Sequence, residues 1–249
     1  EPFLGGGAVF FHLKRRFPGM RAFLRDNNAE LINAYRAVQL FPHELMRRLD
    51  AHLKAFHADR ERYYYLVRSR HQPPAALPGR ARPPGAPLAV QSPKQTAGPA
   101  VQPYQQPIQD EGRWSDDIIV ERAARFLFLN KTCFNGLYRV NARGEFNVPI
   151  GSHKNPALYD RDNLLAANWA LRDAHLAVQD CRKRQRRLVG LGFRVTMNET
   201  RKGDFIYIDP PYYPLSATAS FTSYTKEDFG GPEQEELAAL FADAAGASA

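Results

Sequence analysis

The run Phe205-Ile206-Tyr207-Ile208, followed at once by Asp209-Pro210-Pro211-Tyr212, constrains this chain more than any other feature. The apolar run predicts a buried strand, and such a strand delivers a carboxylate to the carboxyl edge of a sheet, where open α/β folds bind ligands. Two prolines then stiffen the turn, and the Pro210 carbonyl has neither a helix nor a ladder waiting for it. A carboxylate and a free carbonyl make an acceptor pair that suits an exocyclic amine with two N–H bonds to give. Tyr212 adds a flat face on which a base can stack. The competing reading is a rigid β-turn with a capping Asp, but four such residues in this order behind such a strand occur rarely by chance.

A second element stands at the other end. Phe3-Leu4-Gly5-Gly6-Gly7 precedes a helix expected over 8–17, and small residues there let backbone amides approach a ligand closely. The turn is neither a phosphate loop with a Lys-Ser or Lys-Thr ending nor a full GxGxxG. By itself it could equally be a tight turn that needs small residues. A short strand is expected over 21–25, ending at Asp26, about twenty residues beyond the turn. A carboxylate so placed reaches ribose hydroxyls in sheets of this kind. Its alternative is an N-cap for the next helix. From Asn28 to Phe56 the apolar spacing is helical, and Pro42 divides it into two helices. Helix, strand, helix in this order suggests an α/β domain.

Residues 71–113 differ in kind. Ten of the chain's 19 prolines fall there with few large apolar side chains, so the stretch reads as a flexible insertion rather than a core element. Val120–Leu129 is expected to be helical. Asn130–Ile150 reads as loop plus short hairpin, rich in Asn, Gly, aromatics and Arg. Asp160–Arg187 reads as helix, 193–197 as a further strand, and Asp228–Ala245 as a last helix. In the hairpin, Arg side chains could read guanine and Asn side chains adenine, and an aromatic at a loop tip could wedge between bases. An ordinary polar hairpin remains the alternative. The net charge of +8 favours a polyanionic partner. The basic run 182–187 could contact phosphates, although a solvated helix face is the commoner role. Two cysteines, Cys133 and Cys181, are too few for a disulfide scaffold or a zinc module. No apolar run is long enough to span a membrane. Both ends read as cuts through a larger domain.

Together these segments resemble the Dam-type DNA adenine-N6 methyltransferases of the D12 class, in the alpha arrangement. The resemblance rests on Glu1-Pro2-Phe3-Leu4-Gly5-Gly6-Gly7, on 126–139 running on to Phe146-Asn147-Val148-Pro149, and on Asp209-Pro210-Pro211-Tyr212 followed by 214–224. It implies a Rossmann-like α/β methyltransferase sheet, incomplete here, with an inserted helical and hairpin DNA-recognition domain. The expected division is 1–57 for cofactor binding, 58–188 for target recognition with the insertion at 71–113, and 189–249 for catalysis. It implies methyl transfer from S-adenosyl-L-methionine to N6 of a flipped adenine in double-stranded DNA, at GATC or a related site, with no metal. Asp209, Pro210, Pro211 and Tyr212 would be catalytic. Glu1, Phe3, Gly5, Gly7, Asp26 and Asp209 would bind the cofactor, with Glu199 a candidate for its adenine. Phe134, Asn135, Leu137, Arg139, Asn141, Pro149 and His153 would contact DNA. Cys133 would not be a nucleophile. A monomer acting in the cytoplasm of a bacterial or phage-infected cell is the default expectation. The sequence has neither the Gly-Gly-Lys lid segment nor the strand that leads into Glu1 in such enzymes. A catalytically silent DNA-binding piece is therefore the alternative, and an NAD enzyme a weaker third.

Overall fold

The computed structural model describes residues 1–71, 115–141, 144–178, 193, 200–211 and 231–246. The insertion at 71–113 (beyond His71), the basic run 182–187, the strand expected at 193–197 (except Phe193), Glu199 and Tyr212 lie outside the described residues.

Helix α1 (Ala8–Arg16) follows the glycine turn, and strand β1 (Ala22–Asp26) follows α1. Helix α2 (Ala29–Leu40) is started by Asn28, whose side-chain oxygen accepts from the amides of Glu30 and Leu31 at 3.1 and 3.2 Å. Pro42 opens α3 (Pro42–Ala58), where its missing N–H costs nothing. Asp59 caps α4 (Arg60–Arg70), a helix the apolar spacing did not suggest. Beyond the insertion come α5 (Asp116–Thr132), α6 (Arg161–Leu171), strand β2 (Ala174–Val178) and α7 (Gly231–Gly246).

Two of the expected elements are corrected. The helix expected over Asp160–Arg187 stops at Leu171, and 174–178 is a strand. β2 pairs in parallel with β1, setting Ala22 opposite Ala174 and Leu24 opposite Leu176. The five-residue run Ala174-His175-Leu176-Ala177-Val178 fits both periods, and only the partner strand decides between them. The sheet's second strand thus lies inside the range expected to serve target recognition. The second correction concerns 205–208. Residues 204–211 form neither helix nor strand, and Phe205 is 71% exposed. A strand exists only through a ladder partner, and among the described residues this run joins no ladder or bridge.

The core has two parts. Leu4, Phe10, Leu24, Ile32, Leu171 and Leu176 pack between the sheet and α1, α2 and α6. Full burial of Leu24 and Leu176 contributes about 1.5–3 kcal/mol each. The larger part is helical: Leu45, Leu49, Phe56, Tyr64, Phe128 and Leu129 join α3, α4 and α5. Polar side chains tie the layers together. Gln39 donates to the carbonyls of Leu171 and Ala174 at 2.6 and 2.9 Å, and Asn168 donates to those of Val38 and Gln39, both at 2.9 Å.

Helix α5 runs into the segment 133–151 through one close approach. The Gly151 amide donates to Thr132 O at 2.8 Å, and a Cβ on Gly151 would lie 2.5 Å from the Cys133 carbonyl oxygen. Backbone cannot yield there as a flexible side chain would. Gly151→Ala is expected to cost about 1–3 kcal/mol of stability, read as a lower melting temperature. An unchanged melt would show that the contact is looser than the geometry states.

Candidate functional site

The glycine turn lies against the end of β1. The Glu1 amino group donates to Phe23 O at 2.8 Å, and Arg25 N donates to Glu1 O at 2.9 Å. These two bonds bracket Leu24 in the manner of a parallel pairing, so Glu1 occupies strand register on the edge of β1 away from β2. Leu4 N then donates to Arg25 O at 2.9 Å, and the chain turns into α1. Gly5 and Gly7 have positive φ, +48° and +65°. At Gly7 space is short as well, because a Cβ would meet Tyr35 Oη at 3.0 Å and Phe11 at 3.2 Å. A Cβ on Gly5 or Gly6 would meet nothing within 4 Å, so these two residues face open space.

Acidic groups surround the turn. Asp26 accepts from Gly5 N through Oδ2 at 3.0 Å and from Asn28 N through Oδ1 at 2.8 Å. Asp26 therefore braces the turn, and the residue that caps α2 is Asn28. Burial pushes the Asp26 carboxyl up from its ordinary value, against the pull of the Asn28, Gly5 and Asn27 amides. Burial also raises Glu1, to about 7, and the negative charge of Asp209 adds to that rise. The Phe10 amide opposes it. Phe10 is the third residue of α1, so the Glu1 carboxylate caps a helix whose N-cap glycine has no side chain to do so. Tyr35 donates to Gly5 O at 3.0 Å. Burial, then the charges of Glu1 and Asp26, hold its hydroxyl far above the usual phenol range, so it stays a donor.

This arrangement selects for charge. The helix N-terminus, where a phosphate would sit in a nucleotide-binding turn, is filled by a carboxylate. Glu1, Asp26 and Asp209 give a field that favours a cationic group. Beside the turn opens a cleft of about 500 Å³, within the range of small-molecule sites. One wall is Gly5, Gly6, Asn28, Leu31 and Tyr35; the other is Phe126, Leu127, Asn130 and Tyr138. Phe3 lies outside the cleft lining and stacks on Phe193, with ring centroids 6.2 Å apart.

Asp209 is exposed, and its charge acts on Glu1, which brings the Asp-Pro-Pro segment and the glycine turn into one electrostatic neighbourhood. The Pro211 carbonyl accepts from Gln234 Nε2 of α7 at 2.8 Å. Sequence reasoning missed both Gln234 and Tyr35, because a lone Gln or Tyr on a helix carries no motif.

The residues expected to contact DNA lie in the segment after α5, and all but Asn141 are exposed. Phe134–Gly136 make a turn of 3-10 helix in which Asn135 has φ +53°. Phe134 and Leu137 are exposed, as are Asn135, Arg139, Pro149 and His153. The Phe134 amide donates to Pro149 O at 2.9 Å, and Asn130 Nδ2 holds Gly136 O at 2.9 Å. Arg139 Nε donates to Asn147 Oδ1 at 2.9 Å, which fixes the plane of the guanidinium. Asn141 is half-buried. Its side chain donates to Glu145 Oε2 at 2.8 Å and accepts from Glu145 N at 3.0 Å, so it closes the hairpin turn. Helix α4 clamps the far side: Tyr64 Oη and an Arg68 guanidinium nitrogen donate to Val148 O at 2.9 and 3.2 Å, and Arg60 donates to the carbonyls of Gly151 and His153. Cys133 is buried and its thiol is pushed up to about 11, chiefly by burial, so it stays protonated and unreactive.

Among the described residues no helix is long and apolar enough to cross a membrane, and no three His, Cys, Asp or Glu side chains gather as a metal site.

A family model for D12 class N6 adenine-specific DNA methyltransferases matches residues 1–248. The Type II methyltransferase M.MjaIII of Methanocaldococcus jannaschii is 32% identical over 246 residues, which cover 97% of this chain and 67% of the relative. A DNA adenine methylase of Serratia marcescens is 31% identical over 241 residues, 96% of this chain and 67% of the relative. A DNA N-6-adenine-methyltransferase of Escherichia phage P1 is 30% identical over 246 residues, 98% of this chain and 24% of the relative. The chain thus spans about two thirds of the first two relatives and about a quarter of the third.

Proposed function

Because this chain belongs to the family of D12 class N6 adenine-specific DNA methyltransferases, we propose that it methylates N6 of adenine in double-stranded DNA, with S-adenosyl-L-methionine as methyl donor. The target is GATC or a close relative. The adenine leaves the duplex, since its N6 is otherwise engaged in pairing. The observation that carries the reading is the shared neighbourhood of Asp209 and the glycine turn, with the cleft beside it.

S-adenosyl-L-methionine, when bound, supplies an electrophilic methyl group on a sulfonium. The residues of this chain suit such a cation: Glu1, Asp26 and Asp209 supply negative charge, Gly5 and Gly7 shape the turn, and Phe3 buttresses it. Asp209 and the Pro210 carbonyl accept the two N6 hydrogens, which turns the nitrogen lone pair out of conjugation with the ring. Asp209 is the acceptor for the proton that N6 gives up. Pro211 stiffens the turn and Tyr212 stacks on the base. The work is positioning and electrostatics, without a covalent enzyme intermediate. In this division 1–57 serves the cofactor, 58–188 the DNA and 189–249 the chemistry, in a monomer acting in the cytoplasm.

Phe134 and Asn135 form the tip that enters the duplex, and Leu137, Pro149 and His153 line the base-contacting side. Asn141 supports the hairpin from within. Arg139 reads a guanine through its fork. Arg139→Ala is expected to lose about 1–3 kcal/mol of discrimination at one base pair, seen as a fall of roughly ten- to hundred-fold in the kcat/KM ratio for sites with and without that guanine. A uniform loss on both sites would assign Arg139 to the phosphates instead.

The whole reading is tested by incubating the intact protein with tritiated S-adenosyl-L-methionine and GATC duplexes. Label recovered as N6-methyladenine is the expected result. Label in cytosine overturns it. DNA retention without label on any duplex points to a silent DNA-binding protein.

A further inference from the structure

We propose that Gln234 is a positioning residue for the Asp209-Pro210-Pro211 turn, holding the acceptor pair at the setting that methyl transfer requires. The proposal rests on the methyltransferase reading above. Neither Pro210 nor Pro211 has an N–H, so the turn cannot fix itself with donors of its own at those positions. Among the described residues, 204–211 form neither helix nor strand, and Asp209 is exposed. A hold on such a turn can come through its carbonyls. Gln234 Nε2 supplies that hold, donating to Pro211 O at 2.8 Å across 23 residues of sequence.

The donor itself stands on a firm base. Gln234 lies in the first turn of α7, and Leu237, three residues on and on the same side of the helix, is 5% exposed. Leu237 anchors α7, and α7 presents the amide. A neutral amide also holds the carbonyl without placing a positive charge next to Asp209, whose charge the reaction needs intact. A lysine would hold the carbonyl equally well but would compete for Asp209.

Gln234→Leu removes the donor, and Gln234→Glu keeps the shape while turning an acceptor toward the Pro211 carbonyl. Both are expected to lower the single-turnover methylation rate roughly ten- to hundred-fold, the scale on which small misplacement of reacting groups acts. The dissociation constants for S-adenosyl-L-methionine and for GATC duplex, and the melting temperature, are expected to stay close to those of the unaltered protein. An unchanged rate in the leucine variant overturns the proposal. So does a loss shared equally by rate, affinities and melting temperature. If the unaltered protein transfers no methyl group to any DNA, it is the methyltransferase reading that fails.

Discussion

Asp209→Ala abolishes methyl transfer and leaves DNA affinity within a few-fold: this is the largest effect expected of any single change in the chain. Removing one group aimed at developing charge typically costs ~10²–10³ in rate, and in the proposed mechanism the same group also takes the N6 proton, so the expected loss lies at or beyond the upper end. Asp209→Asn is expected to be nearly as damaging. An amide nitrogen in place of one carboxylate oxygen sets donor against donor at N6. DNA binding is expected to be spared because the segment 134–153, proposed to contact DNA, is held by α4 and α5, not by the Asp-Pro-Pro turn. Single-turnover transfer of tritium and a duplex titration separate the two effects. More than a tenth of the unaltered rate in the alanine variant would remove Asp209 from the chemistry. The substitution has a second consequence that needs no turnover. The charge of Asp209 helps to raise Glu1 to about 7. Without it Glu1 ionises more easily, so its titration by NMR moves toward lower pH. A Glu1 that titrates unchanged would mean that the turn and the Asp-Pro-Pro segment are not neighbours.

The parts of the site legible in the sequence were those whose chemistry is local. Gly5 and Gly7 need positive φ, and a glycine run before an apolar helix announces that. Asp26 was legible as a carboxylate at a strand end, but its partners were not. The choice between ribose and helix cap did not include a brace for the turn across 21 residues of sequence. Long-range pairing decided the two elements that were misread. Ala174–Val178 has the composition of a helix and becomes a strand because β1 presents open backbone groups to it. Residues 205–208 have the composition of a strand yet are irregular, because composition alone does not supply a ladder. Helix α4 has weak periodicity because Arg60, Tyr64 and Arg68 are spent on the carbonyls of 148–153 rather than on an apolar stripe. Its role follows only from where that segment lies.

The second large effect is on stability, at a pair that no motif marks. Arg122 of α5 and Glu30 of α2 form an ion pair with side chains only 11% and 6% exposed, and the second Glu30 oxygen has no hydrogen-bond partner among the described residues. Arg122→Ala leaves a buried carboxylate alone and is expected to cost about 3–5 kcal/mol, whereas the double change Arg122→Met with Glu30→Leu is expected to be neutral or stabilising by up to about 4 kcal/mol. Denaturant melts distinguish the two. The pH dependence carries the sign. Burial already raises the Glu30 carboxyl, and Arg122 restrains the rise. Without Arg122 the carboxyl rises further, so the deficit of the single variant is greatest above that value and narrows as acid neutralises Glu30. His71 acts in the same direction. Burial first, then the charges of Arg122 and Arg125, hold it down at about 3, against an ordinary 6.5. The stability that neutral His71 contributes is therefore lost as pH falls from about 6.5 toward 3, and removing Arg122 lessens that loss. A deficit equal at pH 8 and pH 5 would mean that the pair is held by packing rather than by charge. Because Glu30 stands two residues beyond Asn28, which lines the cleft, the same variant is expected to loosen the wall that α2 and α5 share.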